Sequence, residues 1–491
     1  MTNLGQPRGL YVLFFAEAWE RFSYYGMRAL LVLYMCNQLK FARADALGIY
    51  ATYTGLVYLT PIFGGYLADR VLGARKAVII GGLVMALGHL AMAFEPLLYI
   101  ALGLLILGNG FFKPNISTIV GGLYEQGDPR RDGGFTIFYM GINLGAFFSP
   151  LVCGTLGERF GWHFGFSAAS VGMILGLLVF LAGQRQLGPA GYPPGRSDGP
   201  ERGLTVHDWE DIAHAVGGAI LVVLCALQLW QTLGPAWIAM SLAQRGSLGI
   251  GLIVVLEVLR RLWARSTEKE EEVPLTGEER ERILVICILA AFVIFFWVGF
   301  EQAGGTMTLF ADKHTARQFL GFDVPASYFQ AINPLGILLL APFFSWLWLT
   351  LDRGPLGTAT PTKMAIGLLC LGLGFVIMAA AQARADAAPD HLVGPGWLAA
   401  VYLVHTAGEL CLSPIGLSMV TKLAPTTMVS LLMGVWFVSS ALANYLAGRA
   451  EELLAAHQLP LWTTLIVTSF AAGLLLLLLS RPLQRWAHGR G

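Results

Sequence analysis

Glu17, Glu20, Arg21, Tyr24 and Arg28 follow one another at steps of three and four inside an apolar run from about Gly9 to Leu39. On a helix those steps place all five in one polar stripe. A charged side chain facing lipid near mid-membrane costs roughly 2.5–3.5 kcal/mol on insertion scales, so the stripe must face protein or a water-filled cavity. Two carboxylates interleaved with two guanidiniums make a poor membrane anchor. They suit a site that holds protons and grips a charged solute, which points to transport.

The elements that position this stripe are read from composition. Of 491 residues, 56% are hydrophobic and only 13% charged, too apolar for an ordinary soluble protein of this length. A net charge of +1 gives no sign of a nucleic-acid partner. Cys36, Cys153, Cys225, Cys287, Cys370 and Cys411 all lie in or beside apolar runs without metal-ligand spacing, and read as small hydrophobes. The N-terminus has no signal-peptide layout.

A membrane helix needs about 20 apolar residues. On that basis spans are expected near 9–39, 46–69, 75–95, 97–123, 134–157 and 163–184. A second set is expected near 280–311, 326–351, 361–383, 395–422, 426–450 and 460–480, with two further segments near 211–232 and 246–264. The expected fold is an all-α integral membrane protein with fourteen transmembrane helices, two six-helix bundles plus two inserted helices. The division is 1–187 for the first bundle, 188–278 for the linker with its two helices, and 279–491 for the second bundle. Most of the 32 Lys and Arg fall in alternate loops on the side that holds both termini, so that side is expected to be cytoplasmic.

The loop after the second span, Gly65-Tyr-Leu-Ala-Asp69-Arg70-Val-Leu-Gly73-Ala-Arg75-Lys76, resembles the short loop signature of the major facilitator superfamily. Four other stretches narrow this. They are Phe112-Lys113-Pro114-Asn115, Phe138-Tyr139-Met-Gly-Ile142-Asn143-Leu-Gly145, Phe296-Trp297-Val-Gly-Phe300-Glu301-Gln302 and Gly408-Glu409-Leu-Cys-Leu-Ser413-Pro414. With the opening Glu-x-x-Glu-Arg-Phe-x-Tyr-Tyr-Gly, they closely resemble the proton-dependent oligopeptide transporter family from about Gly9 to beyond Trp436. The resemblance implies symport of di- and tripeptides with protons, by alternating access of two bundles around a central site. No His/Asp metal cluster, serine nucleophile with a base or phosphate-binding glycine loop is visible, so no enzymatic activity and no cofactor are expected.

The site residues follow from that resemblance. A dipeptide carries an ammonium at one end and a carboxylate at the other, and a promiscuous site must grip these constant ends. Arg21 and Lys113 are the basic pair for the carboxylate, and Glu409 is the anion for the amine. Asn143 and Asn333 would add neutral hydrogen bonds. Tyr24, Tyr25 and Tyr58 would offer hydroxyls, and Trp436 an indole wall. Each has a structural competitor: Arg21 as partner of Glu17 and Glu20, Lys113 and Asn333 as side chains beside helix-breaking prolines, Glu409 as partner of another cation, the aromatics as plain core.

Protons would ride on Glu17, Glu20 and Glu301, since burial disfavours a charged carboxylate and an adjacent cation favours it. Arg21 takes part in that exchange. The resemblance implies that Glu301 pairs with Arg28 or Lys113 in one state, and protonating Glu301 is expected to break this outer-side pair, free the cation and help the bundles rearrange. Animal relatives carry a histidine in the second helix where this chain has Ala51, so His89 and His405 are read as satisfied packing residues. Rival readings are a transporter of the same fold for nitrate or a drug-like compound, and a non-transporting membrane sensor. Glu409 would repel a simple anion. No Walker-type phosphate loop is visible, so the energy source is expected to be an ion gradient. The remaining expectations are a functional monomer in a bacterial inner membrane, with lipid, protons and peptides as its partners.

Overall fold

The computed structural model describes residues 5–125, 127–192, 275–319, 321–352, 359–425 and 428–488. The expected spans near 211–232 and 246–264 lie outside the described residues.

The first half holds α1 (Arg8–Asn37), α2 (Arg43–Leu59) continued by α3 (Pro61–Leu67), α4 (Ala74–Ala91), α5 (Leu98–Gly122), α6 (Arg131–Thr155) and α7 (Trp162–Gly183). The second holds α8 (Gly277–Phe300) with α9 (Thr306–His314), α10 (Ile332–Asp352), α11 (Thr360–Ala387), α12 (Pro395–Leu423), α13 (Val429–Ala455) and α14 (Leu461–Trp486). These helices fall near the places expected from hydropathy. Among the described residues, nine helices with their flanking turns are long and apolar enough to cross a membrane. α1 carries too many charges to qualify by composition, and the polar stripe is the reason. α12 and α13, at 29 and 27 residues, also reach across by length. The outer face of α10 shows why so much of the chain is apolar: Leu339, Phe343, Trp346 and Leu349 are all more than half exposed, as lipid-facing side chains are.

Local chemistry sets several boundaries. Thr276 and Glu279 form a reciprocal capping box that starts α8. The loop after α3 turns through Ala68–Leu72 and closes on Gly73 at φ 74°, a left-handed conformation that glycine adopts without penalty. α5 runs unbroken through Pro114. Asn115 supports it there, donating from Nδ2 to Phe111 O at 2.7 Å and to Gly64 O of α3 at 3.3 Å.

In the first half α1 packs on α6 and α7, and α4 on α5 and α7; in the second α11 packs on α12 and α14, and α8 on α13. The halves meet where α2 lies along α13 and where α6 meets α10 and its leading turn. The first contact is tight: a Cβ added at Gly448 would lie 2.6 Å from Ala51 Cβ. α2 and α13 thus approach closely through two small residues, Ala51 and Gly448.

Candidate functional site

Between the halves lies a cavity of about 290 Å³, near the low end of small-ligand sites. Its charged groups come from both sides. Arg28 of α1 and Lys113 of α5 enter from the first half, and Glu409 of α12 from the second. Tyr25, Tyr58, Asn143, Asn333 and Trp436 also line it. The remaining wall is largely aromatic or apolar, with Trp297, Phe300, Pro150 and Ile337 among its residues.

Lys113 projects from the continuous α5, with its Nζ 4.3 Å from the centre of the Tyr58 ring. It is therefore not the snorkelling side chain of a broken helix. Glu409 is buried and accepts a hydrogen bond from Asn333 Nδ2 at 2.8 Å. The same Nδ2 donates to Thr406 Oγ1 at 3.0 Å. Asn333 thus spends its donors on α12 side chains, although Pro334 follows it.

Arg21 and Tyr24 do not reach this lining. Arg21 is buried between two carboxylates, with Nε 3.1 Å from Glu17 Oε1 and bonded to Glu20 as well. Its Cζ lies 5.2 Å from the Tyr24 ring. Glu17, Glu20 and Arg21 are all buried in the first half, from which Lys113 also enters the cavity. Glu17 Oε2, Glu20 Oε1 and Arg21 Nη2 are buried without hydrogen-bond partners among the described residues. Such atoms are costly to leave unmatched. The cluster has capacity for a further proton or ligand group.

Arg28 joins the halves. Its guanidinium pairs with Glu301, in the turn that follows α8, and donates from Nε to Tyr50 Oη at 2.6 Å. Toward the C-terminal end of α1 other links cross between the halves. Asn37 donates to Asp312 at 3.0 Å, and Arg43 pairs with Glu451 at 2.7 Å. Glu158 accepts from Ala326 N, Ser327 N and Ser327 Oγ at 2.7, 3.0 and 2.6 Å.

Several lining residues were not singled out as site residues from sequence. Tyr139 and Trp297 lie inside the quoted motif stretches, so their signal was present. Tyr402, Gln330, Ser440 and Asn444 carried none. Of His89 and His405, only His405 is paired as expected among the described residues. His405 Nε2 meets Leu371 O at 3.2 Å and its ring lies against Phe375, yet it also lines the cavity. His89 is fully buried with neither ring nitrogen paired among the described residues. It is a packing residue without the satisfaction expected of it.

Comparison with known proteins decides the family. The POT family model matches residues 75–193 and 249–464. The chain belongs to the POT family. This POT transporter is 37% identical over 99% of its length to the peptide transporter YePEPT of Yersinia enterocolitica, covering 96% of that protein. It is 34% identical to a di-/tripeptide transporter of Lactococcus lactis, over 99% of this chain and 97% of the other. It is also 38% identical to the uncharacterized transporter YclF of Bacillus subtilis, covering 99% and 96%. A crystal structure of a POT peptide transporter in complex with sulfate matches at 38% identity and a TM-score of 0.80, over 99% of this chain and 97% of that one. The fold of this POT transporter is therefore that of the major facilitator superfamily, and the chain is a multi-pass membrane protein.

Proposed function

We propose that this protein is a proton-coupled symporter that imports di- and tripeptides by alternating access. The observation that carries this is the charge layout of the central cavity. Cations Lys113 and Arg28 come from the first half, and the anion Glu409 with its Asn333 partner from the second. A zwitterionic peptide of either length offers one charge to each half, so binding it draws the halves together. Two relatives are themselves named as peptide transporters. One structural neighbour was crystallised as a variant in complex with alafosfalin.

In this reading Lys113 takes the peptide carboxylate and Glu409 the amine. Asn143, Tyr25 and Tyr58 add hydrogen-bonding groups, and Trp436 walls the side-chain space. Arg21 is held in reserve by Glu17 and Glu20. Protonating either carboxylate weakens that hold and makes Arg21 available as a second cation for the peptide carboxylate, with Tyr24 beside it. Glu301 carries the gate: its protonation removes the charge that holds Arg28 across the halves. The division into bundles at 1–187 and 279–491, with two inserted helices between them, belongs to the same reading. So do function as a monomer, and a bacterial inner membrane with both termini cytoplasmic. That orientation makes the end bridged by Arg43, Asn37 and Glu158 the outer mouth, here closed.

The test is uptake of labelled dialanine into liposomes holding the purified protein, with and without an inward proton gradient. Gradient-dependent accumulation, competed by unlabelled tripeptide and lost in Glu409→Ala, supports the reading. A folded protein that takes up no peptide sinks it.

A further inference from the structure

We propose that Thr406 is a positioning residue for the amine end of the site: its hydroxyl fixes which way the Asn333 amide faces, so that Asn333 presents its oxygen to the substrate ammonium. This rests on the peptide reading and names a role outside the residues assigned above.

The argument is a count of donors. Thr406 sits on α12, one helical turn before Glu409, and is fully buried. Its only hydroxyl proton goes to Tyr402 O at 2.7 Å. Toward Asn333 the Thr406 oxygen can therefore only accept. Asn333 Nδ2 answers with one N–H to Thr406 Oγ1 at 3.0 Å and one to Glu409 Oε2 at 2.8 Å. Both amide protons are then spent within the protein, and the amide is anchored from two sides. Rotating it by half a turn would set Oδ1 against two acceptors. Among the described residues the Asn333 carbonyl oxygen has no hydrogen-bond partner, and it is the remaining polar end of that side chain on the cavity wall.

The consequence concerns selectivity. Glu409 alone anchors the amide only while it stays an acceptor. Once a peptide ammonium or a proton occupies the carboxylate, the grip on Asn333 weakens. Thr406 does not change with either event, because its proton is committed to the helix backbone. It keeps Nδ2 turned inward and leaves two acceptors, Glu409 and Asn333 Oδ1, for one ammonium. α10 holds the threonine in place by approaching closely: a Cβ added at Gly336 would lie 3.1 Å from Thr406 Cγ2. That glycine lets α10 approach the threonine side chain, whose hydroxyl is directed by its bond to Tyr402 O.

Thr406→Val keeps the shape and the methyl contact but removes the acceptor. The measurements are uptake of dialanine, and competition by propionyl-alanine, which is dialanine without its amine. The expected result for Thr406→Val is a KM for dialanine raised about tenfold with kcat within about twofold, the scale of one hydrogen bond to a charged group. Propionyl-alanine should compete equally well against the wild type and the variant. Thr406→Ser should restore the wild-type KM, and Thr406→Ala should repeat the valine result if the valine protein fails to fold. An unchanged dialanine KM overturns the proposal. Equal weakening of both compounds also overturns it, because the threonine would then only pack. If the wild type itself takes up no dialanine, the peptide reading falls, and this proposal with it.

Discussion

Arg28 and Glu301 lie 273 residues apart in the chain, and their side chains, Glu301 buried and Arg28 nearly so, form an ion pair that joins the two halves. Arg28 also donates to Tyr50 Oη at 2.6 Å, so three helical segments converge on one guanidinium. A pair in this place is sensitive to one proton. Neutralising Glu301 removes the attraction but keeps most of the side chain's shape.

Glu301→Gln should therefore uncouple transport from the gradient. Exchange of labelled for unlabelled dialanine across liposome membranes should persist, because Lys113 and Glu409, which take the two peptide ends, are untouched. Accumulation driven by an inward proton gradient should fall to background. Full gradient-driven accumulation in this variant would remove Glu301 from the coupling role.

The cross-half pairs should differ in what they contribute to stability. Arg28 and Glu301 have side chains 12% and 5% exposed, whereas Arg43 and Glu451 are 35% and 33% exposed. Removing one partner of a buried pair costs about 3–5 kcal/mol, since the other charge is left without compensation. An exposed pair is worth about 1 kcal/mol at most. Thermal melting in detergent should thus place Glu301→Ala well below Glu451→Ala. Equal melting temperatures would show that water already reaches the Arg28 pair.

Glu409→Gln should weaken dipeptide binding by about tenfold or more, because a charge-assisted contact to the amine becomes a neutral one. Inhibition by propionyl-alanine should change far less. Equal losses for the two competitors would mean that Glu409 shapes the cavity and does not read the amine.

Gly145→Ala tests the packing beneath the polar stripe. A Cβ at Gly145 would lie 2.1 Å from Ala18 O, so α1 would have to move away from α6. Overpacking of this kind costs about 1–3 kcal/mol. The melting temperature should fall, and proton-coupled uptake should suffer because Ala18 lies between Glu17 and Glu20. A variant with unchanged stability would show that the two helices slide freely.

The positions of the described long helices were legible because transfer into lipid depends on the local run of side chains, as does the period that gathers Glu17, Glu20, Arg21, Tyr24 and Arg28 on one helix face. The types of charge available for a zwitterionic solute were legible for the same reason. Which way the stripe points was not. Periodicity groups Arg21 with Arg28, but only packing sends Arg28 to the cavity and buries Arg21 between two carboxylates. The continuity of α5 through Pro114 was hidden as well, since a proline in an apolar run is compatible with a break, and only the packed structure shows α5 unbroken with Asn115 bonding both its own helix and Gly64 of a neighbouring one.

The sequence by itself determined that this is a helical membrane protein with charges of both signs inside it, because hydropathy and helical period are properties of neighbouring residues. The tertiary structure alone decided which charges meet. The Arg28–Glu301 and Asn333–Glu409 contacts depend on how separate helices are set against one another. A local pattern is compatible with more than one such setting, and a transporter that alternates its access must use at least two of them.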